Sequence, residues 1–218
     1  MKFIKPFGPI IGEAELTPEQ NDLLVQACQN SMNDESKRAN KLLVGYIKKE
    51  FIITDQIKTT LLPVFYEKVL EYLNAIEGPY QTLKPFKKHD IICEGAWCNI
   101  QEPYEFNPLH NHCLSDIVCV TFPKVNLDSN YNVYESNSKR LPGALHLTCT
   151  TNDAKFATHL YEIIPNTGKM YIFPGTLMHY TSPFFKEGDV RWSTSTNFMF
   201  SENFYHIRGI RNNEYRAI

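Results

Sequence analysis

The sequence predicts a mainly β domain braced by an N-terminal helical layer, and three observations carry that prediction. Two long amphipathic segments occupy the first third of the chain. From about Asp90 the text breaks into short runs rich in Ile, Val, Tyr, Phe, Trp and Thr, punctuated by Pro, Gly, Asn and Asp. The 218 residues are 43% hydrophobic and 13% aromatic, enough apolar material for one core of ordinary size. We therefore expect a single domain over 1–218, with about 1–88 as helical support and about 89–205 as the β core. With 22 Lys and Arg against 24 Asp and Glu, no basic field exists to capture a nucleic-acid backbone.

The elements follow in order. Thr17-Pro18-Glu19-Gln20 pairs a hydroxyl cap with proline at the first helical position and Gln three residues on. It predicts a helix to about Asn33 whose inner face is Leu23, Leu24, Ala27 and Met32. Beyond Thr54, the residues Ile57, Leu61, Phe65, Val69, Tyr72, Leu73 and Ile76 recur at spacings of three and four, the period of a second helix. Gly78-Pro79 should stop it, and Pro63 either kinks it or delays its start to about Thr60. Strands are expected at roughly 90–101, 112–122, 143–150, 158–164, 169–174 and 190–200. The polar stretch Lys124 to Leu141 reads as a long surface loop. No apolar run has signal-peptide or membrane-spanning length, so a cytoplasmic protein is expected. The six cysteines lack Cys-x-x-Cys spacing and sit mostly in apolar runs, which favours buried thiols.

Three stretches carry residues suited to chemistry. His110 and His112 sit two apart just before an apolar run, so on extended backbone both imidazoles project to one side and can take adjacent corners of a metal's coordination sphere. A pair of strand-edge histidines bound only by hydrogen bonds fits the same text. His179 follows the short apolar strand Tyr171-Ile172-Phe173 by a turn, where a third ligand or an ordinary buried histidine can stand. In the run 190–198, alternation puts Arg191, Ser193, Ser195 and Asn197 on one face and Trp192, Thr194, Thr196 and Phe198 on the other. Arg on a core strand wants an anion, which its planar fork can hold through two parallel hydrogen bonds. The anion can be a ligand's carboxylate or one of the protein's own.

Together the pieces resemble a known family. Trp97-x-Asn99, His110-x-His112, Leu114-Ser115, Pro165-x-x-Gly168, Phe173-Pro174, His179 and Arg191-x-Ser193-x-Ser195-x-Asn197 look like a branch of 2-oxoglutarate/Fe(II)-dependent oxygenases frequent in phage and bacterial genomes. The likeness spans about residues 90 to 200. It implies a double-stranded β-helix, a jelly roll of the cupin-like kind. It also implies Fe(II), 2-oxoglutarate and O2 as cofactor and cosubstrates, and coupling of 2-oxoglutarate decarboxylation to C–H oxidation, most simply hydroxylation, of an unknown primary substrate. By the same resemblance His110 and His179 are metal ligands, Arg191 with Ser193 binds the distal carboxylate of 2-oxoglutarate, and Asn99 lines that pocket. For a phage-encoded chain the compartment is the host cytoplasm.

The sequence departs from the wider pattern at one position. Most of these oxygenases carry Asp or Glu two residues after the first His, where this chain has His112. If His112 is the third ligand, the protein face is neutral and the iron keeps one more unit of positive charge, favouring an anionic cosubstrate. The alternative carboxylates are Asp116, Glu102 and Glu105. A three-histidine site also suits a cupin-like dioxygenase that needs no 2-oxoglutarate, and a non-catalytic jelly-roll binding module is a third reading. His146 and His159 lie in strand-like runs, where either a satisfied sheet-face histidine or a substrate contact is possible. His89, beside Lys87-Lys88, reads as solvated, and His206 belongs to the C-terminal segment Tyr205-His206-Ile207-Arg208.

Overall fold

The computed structural model describes residues 1–6, 8–76, 85–112, 114–128, 141–149, 159–202 and 204. Helix α1 (Pro18–Met32) opens where the capping box predicts. Thr17 Oγ1 accepts the Gln20 amide at 3.2 Å while Gln20 Oε1 accepts the Thr17 amide at 3.0 Å, which satisfies two amides the helix cannot. Its inner face is Leu24, Ala27, Cys28 and Ser31, and Leu23, expected inside, is 41% exposed. Leu23 sits roughly 100° round the helix from Leu24, and the sheet takes only the Leu24 side.

The second helical run begins as α2 (Thr54–Gln56), widens into a π-helical turn (Ile57–Leu61) and continues as α3 (Leu62–Ala75). Pro63 falls in the first turn of α3, where its missing amide is tolerated, and the π turn absorbs the break behind it. Ile57, Leu61, Phe65, Val69, Tyr72 and Leu73 are all buried, as the spacing requires. Gly78-Pro79 lie outside the described residues.

A seven-stranded antiparallel sheet runs in the order β1 (Lys2–Ile4), β2 (Ile11–Glu15), β8 (Lys169–Pro174), β5 (Ile117–Asn126), β10 (Val190–Phe200), β4 (Ile91–Gln101), β3 (Lys49–Ile52). A smaller sheet has the order β7 (Leu160–Ile163), β6 (Leu145–Thr148), β9 (Met178–Thr181). The first third is thus not wholly helical, because β1, β2 and β3 supply both edges of the large sheet. Lys124 and the two residues after it extend β5; of the expected surface loop, 129–140 lie outside the described residues, as does His206.

Strand alternation divides the core in two. One face of the large sheet presents Ala96, Cys98, Cys119, Met170, Ile172, Trp192 and Phe198 to Leu24 and Cys28 of α1 and to Phe65, Val69 and Tyr72 of α3. The other presents Val118, Val120, Phe122, Tyr171 and Phe173 to Leu145, Leu147 and Ile163 of the small sheet. The fold is therefore a two-sheet sandwich with a helical layer outside the larger sheet. Among the described residues no helix is long and apolar enough to cross a membrane. Cys28, Cys93, Cys98 and Cys119 are free and buried and Cys149 is free and partly buried; Cys113 lies outside the described residues.

Candidate functional site

The site lies between the sheets, built on the polar face of β10 and its neighbours. His110 and His179 are opposed across an antiparallel bridge, with His110 N donating to His179 O at 2.9 Å and His179 N donating to His110 O at 2.8 Å. His112 is brought in by a turn contact: its amide donates to Gly175 O at 2.8 Å, and Gly175 N donates to Asp116 O at 2.9 Å. Only glycine permits that approach, because a Cβ on residue 175 would stand 1.9 Å from Ser115 O. Among the described residues these three histidines form the group able to hold a metal ion, one ring nitrogen from each lying within 4.8 Å of the others.

Each imidazole is held through Nδ1. His110 Nδ1 donates to Pro108 O at 2.7 Å and His179 Nδ1 to Leu177 O at 2.9 Å. His112 Nδ1 donates to Asn197 Oδ1 at 3.1 Å. Asn197 Nδ2 in turn donates to Ser115 Oγ at 2.8 Å, and Ser115 Oγ donates to Glu94 Oε2 at 2.8 Å. Donation from Nδ1 fixes one tautomer and leaves the Nε2 lone pair for a ligand, which is how outer partners orient metal-binding histidines. Trp97 stacks on His112 with ring centroids 5.4 Å apart and planes 12° apart, and Phe173 meets His179 edge-on at 5.3 Å. Burial lowers all three imidazoles, His112 to about 4 and His179 to about 3, and the neighbouring His110 adds to both shifts. The rings are accordingly neutral at pH 7, as ligation requires. Three neutral nitrogen donors on one side of a point, with the other side open to a cavity, fit a divalent transition metal.

That cavity has a volume of about 340 Å³, the lower end of the range for small-molecule sites. His110, His112, His179, Trp97, Asn99, Arg191, Ser193, Ser195 and Asn197 all line it, so the β10 face read from the alternation opens on the cavity, although Thr194, read onto the opposite face, lines it too. Arg191 is fully buried. Its Nη1 donates to Gly143 O at 2.7 Å and its guanidinium lies 5.7 Å from the Phe122 ring centre, while Nε has no partner among the described residues. Burial pushes the guanidinium down to about 9. A buried cation with a free donor and no carboxylate paired to it among the described residues fits a carboxylate ligand.

The carboxylates considered as third ligands are engaged elsewhere. Asp116 Oδ2 accepts the Phe200 amide at 2.7 Å. Glu102 pairs with Lys49 at 2.5 Å, and Glu105 accepts the amides of Lys48 and Glu102 at 3.1 and 3.0 Å. His146 is not part of the cavity wall; it is buried against Tyr180 and bonded to Ser182 Oγ at 2.5 Å. His159 is exposed, and its carbonyl accepts Thr148 Oγ1 at 2.9 Å. Trp192 belongs to the helix-facing core. Sequence reasoning missed Glu50, Asn107, Thr181 and the segment Leu42 to Gly45, which also line the cavity.

Residues 95–197 match the family described as "Putative 2OG-Fe(II) oxygenase". No curated protein matches by sequence. Among solved structures, a prolyl-4-hydroxylase from Pseudomonas putida matches with TM-score 0.51 and 11% identity over 87% of this chain and 92% of that one. A prolyl hydroxylase from Trichoplax adhaerens, in complex with a hypoxia inducible factor peptide fragment, gives 0.53 and 14% over 90% and 86%. HygX from Streptomyces hygroscopicus, with nickel and 2-oxoglutarate bound, gives 0.55 and 8% over 88% and 82%. At these identities the structures establish the fold, a double-stranded β-helix. The family match over residues 95–197, that fold and the His110, His112, His179 cluster agree, and this part of the chain is similar to the 2OG-Fe(II) oxygenase family, oxidoreductases that use Fe(II), 2-oxoglutarate and O2.

Proposed function

We propose that this oxygenase is a hydroxylase in which His110, His112 and His179 hold Fe(II), and Arg191, Ser193 and Asn99 seat 2-oxoglutarate. The observation that carries this reading is the meeting, in one cavity, of three neutral imidazoles and an unneutralised buried guanidinium. When bound, Fe(II) with 2-oxoglutarate supplies the O2-activating chemistry, in which the oxoacid becomes succinate and CO2 and a substrate C–H bond is oxidised.

The chain's own residues do the positioning. Arg191 neutralises the distal carboxylate with its free Nε–H beside Nη1, and Ser193, the next inward-facing residue on the strand, adds a hydroxyl donor. Phe122, Val120 and Leu145 line the cavity as apolar walls and keep water from the carboxylate. Pro108 O, Leu177 O and Asn197 hold the imidazoles on axis, so little reorganisation accompanies metal binding. We further infer that residues 1–218 act as one domain, which the joining of β1, β2 and β3 to the large sheet supports. The buried free thiols support a reducing, cytoplasmic setting.

Anaerobic titration with Fe(II) and 2-oxoglutarate tests the proposal. A weak visible charge-transfer band that is lost in His179→Ala, with succinate formed on admitting air, is the expected result. No band and no succinate at any Fe(II) concentration would overturn it, and O2 uptake indifferent to 2-oxoglutarate would select the cupin-like alternative.

A further inference from the structure

Glu50 is a carboxylate in the wrong place for a structural residue. It sits on edge strand β3 yet is 0% exposed, it lines the cavity of the histidines, and its Oε1 has no hydrogen-bond partner. Register fixes where it points: Glu50 is opposite Asn99 on β4, and Asn99 is opposite Ser193 on β10, so the three form one row across the inner face. Asn99 Oδ1 is likewise buried without a partner. A third acceptor joins them, since a Cβ built on Gly45 would meet Glu50 Oε1 at 2.3 Å and Asn107 Oδ1 at 2.4 Å. Both oxygens therefore converge on one point beside the Gly45 backbone.

Among the described residues Asn40 Nδ2 reaches Glu50 Oε2 at 3.4 Å, and Glu50 Oε1 and Asn99 Oδ1 are left unanswered. Burial, reinforced by the nearby Glu105, raises the Glu50 carboxyl to about 7, whereas Arg191 is shifted by burial alone, so the two buried charges do not neutralise each other. The unmatched acceptor oxygens select a ligand that brings N–H groups, and a buried carboxylate among them selects a cation. A hard metal ion would need about six to eight oxygens, more than this row offers. The mouth beside it is apolar, with Leu42, Val44 and Leu114 exposed by 74%, 53% and 83%.

We propose that Glu50, with Asn99 and Asn107, is the recognition site for a nitrogen cation, an ammonium or guanidinium carried on an apolar body, of the primary substrate. The assignment of this cation to the substrate rests on the oxygenase reading above. The geometry separates the two charges: the anionic cosubstrate belongs to Arg191 on β10, and the cation to Glu50, two strands away across Asn99.

Ligand-observed NMR and calorimetry test it with n-butylammonium and methylguanidinium as probes, n-butanol and butyrate as neutral and anionic counterparts, and a lysine-containing tripeptide blocked at both ends. Each is titrated into the protein alone and into protein loaded with Fe(II) and 2-oxoglutarate under argon. The cations are expected to bind at least about tenfold tighter than n-butanol, and Glu50→Gln to lose that preference. Preference for the free amines or for the tripeptide distinguishes a small-molecule from a side-chain source. Equal binding of cation and alcohol to the wild-type protein, or unchanged cation binding in Glu50→Gln, would overturn the proposal. The melting temperature of ligand-free Glu50→Gln guards against a folding defect: a merely structural Glu50 lowers it, a recognition residue does not. The 2-oxoglutarate titration in the same samples reports separately on the oxygenase reading, because the cation arms are also run on protein alone.

Discussion

Replacing Arg191 by methionine should move ligand affinity and protein stability in opposite directions. The guanidinium is fully buried and burial alone pushes its pKa down, from the usual arginine range to about 9. At about 1.4 kcal/mol per unit, holding that charge costs the ligand-free fold about 5 kcal/mol. Against this stand the hydrogen bond to Gly143 O and the contact with the Phe122 ring, together about 3 kcal/mol. Arg191→Met should therefore stabilise the ligand-free protein by about 2 kcal/mol, raising its melting temperature by about 4–8 °C for a chain of this size. The same change leaves the distal carboxylate of 2-oxoglutarate buried without a partner, a loss of about 3–5 kcal/mol, or roughly two to three and a half decades in Kd. Differential scanning fluorimetry and calorimetric titration of 2-oxoglutarate read the two effects separately. An affinity within about threefold of wild type would refute the cosubstrate role, since it lies far below that loss. A lower melting temperature would refute the claim that the guanidinium is unneutralised.

Other expectations follow from the same geometry. Glu50 is protonated in both folded and unfolded chains below about pH 4.5; between there and about pH 7 only the unfolded chain ionises, so stability falls by at most about 3 kcal/mol across that window and then levels. Melts of Glu50→Gln from pH 4.5 to 8 should lack that component, and identical slopes in the two proteins would show that the carboxyl is not raised. Asn197→Ala frees His112 Nδ1 from the chain leading through Ser115 to Glu94, and should weaken metal binding about 10- to 100-fold with little change in secondary structure. Competition for the metal with a coloured chelator measures this; unaltered affinity would mean that Trp97 stacking alone orients the ring. Gly175→Ala forces a methyl against Ser115 O, and should cost more metal affinity than Gly188→Ala, where a Cβ meets no atom; the same competition assay compares them, and equal losses would contradict the close-contact argument.

Legibility differed between the two halves of the site for a physical reason. His110, His112 and His179 stand beside strands whose apolar runs are visible in the sequence, and Arg191, Ser193, Ser195 and Asn197 alternate against Trp192 and Phe198 strongly enough to assign faces unaided. Glu50 carries no such signal. It lies in Lys49-Glu50-Phe51-Ile52, where charged residues read as the wet side of an edge strand, and only pairing with β4, whose register is non-local, turns it inward. Asn107 and Gly45 come from loops, whose path depends on the sheets they join. Strand β9 was missed because its four residues, Met178 to Thr181, are held by pairing with β6 rather than by a pattern of their own. Leu23 shows the converse error, an apolar residue on a helix whose buried stripe is narrower than its hydrophobic one.

The mutual backbone bonds of His110 and His179 make the site depend on a non-local pairing. The two residues belong to segments far apart in the chain, and their imidazoles share a side only when β6 and β9 have closed against the β5 and β8 face in the correct register. A slip of one residue would turn one ring away, since side chains alternate along a strand. A nascent or partly unfolded chain therefore offers at most the local pair His110 and His112, and the three imidazoles meet only in the finished sandwich. A metal that needs all three nitrogens would thus be held only once the cavity has formed around it.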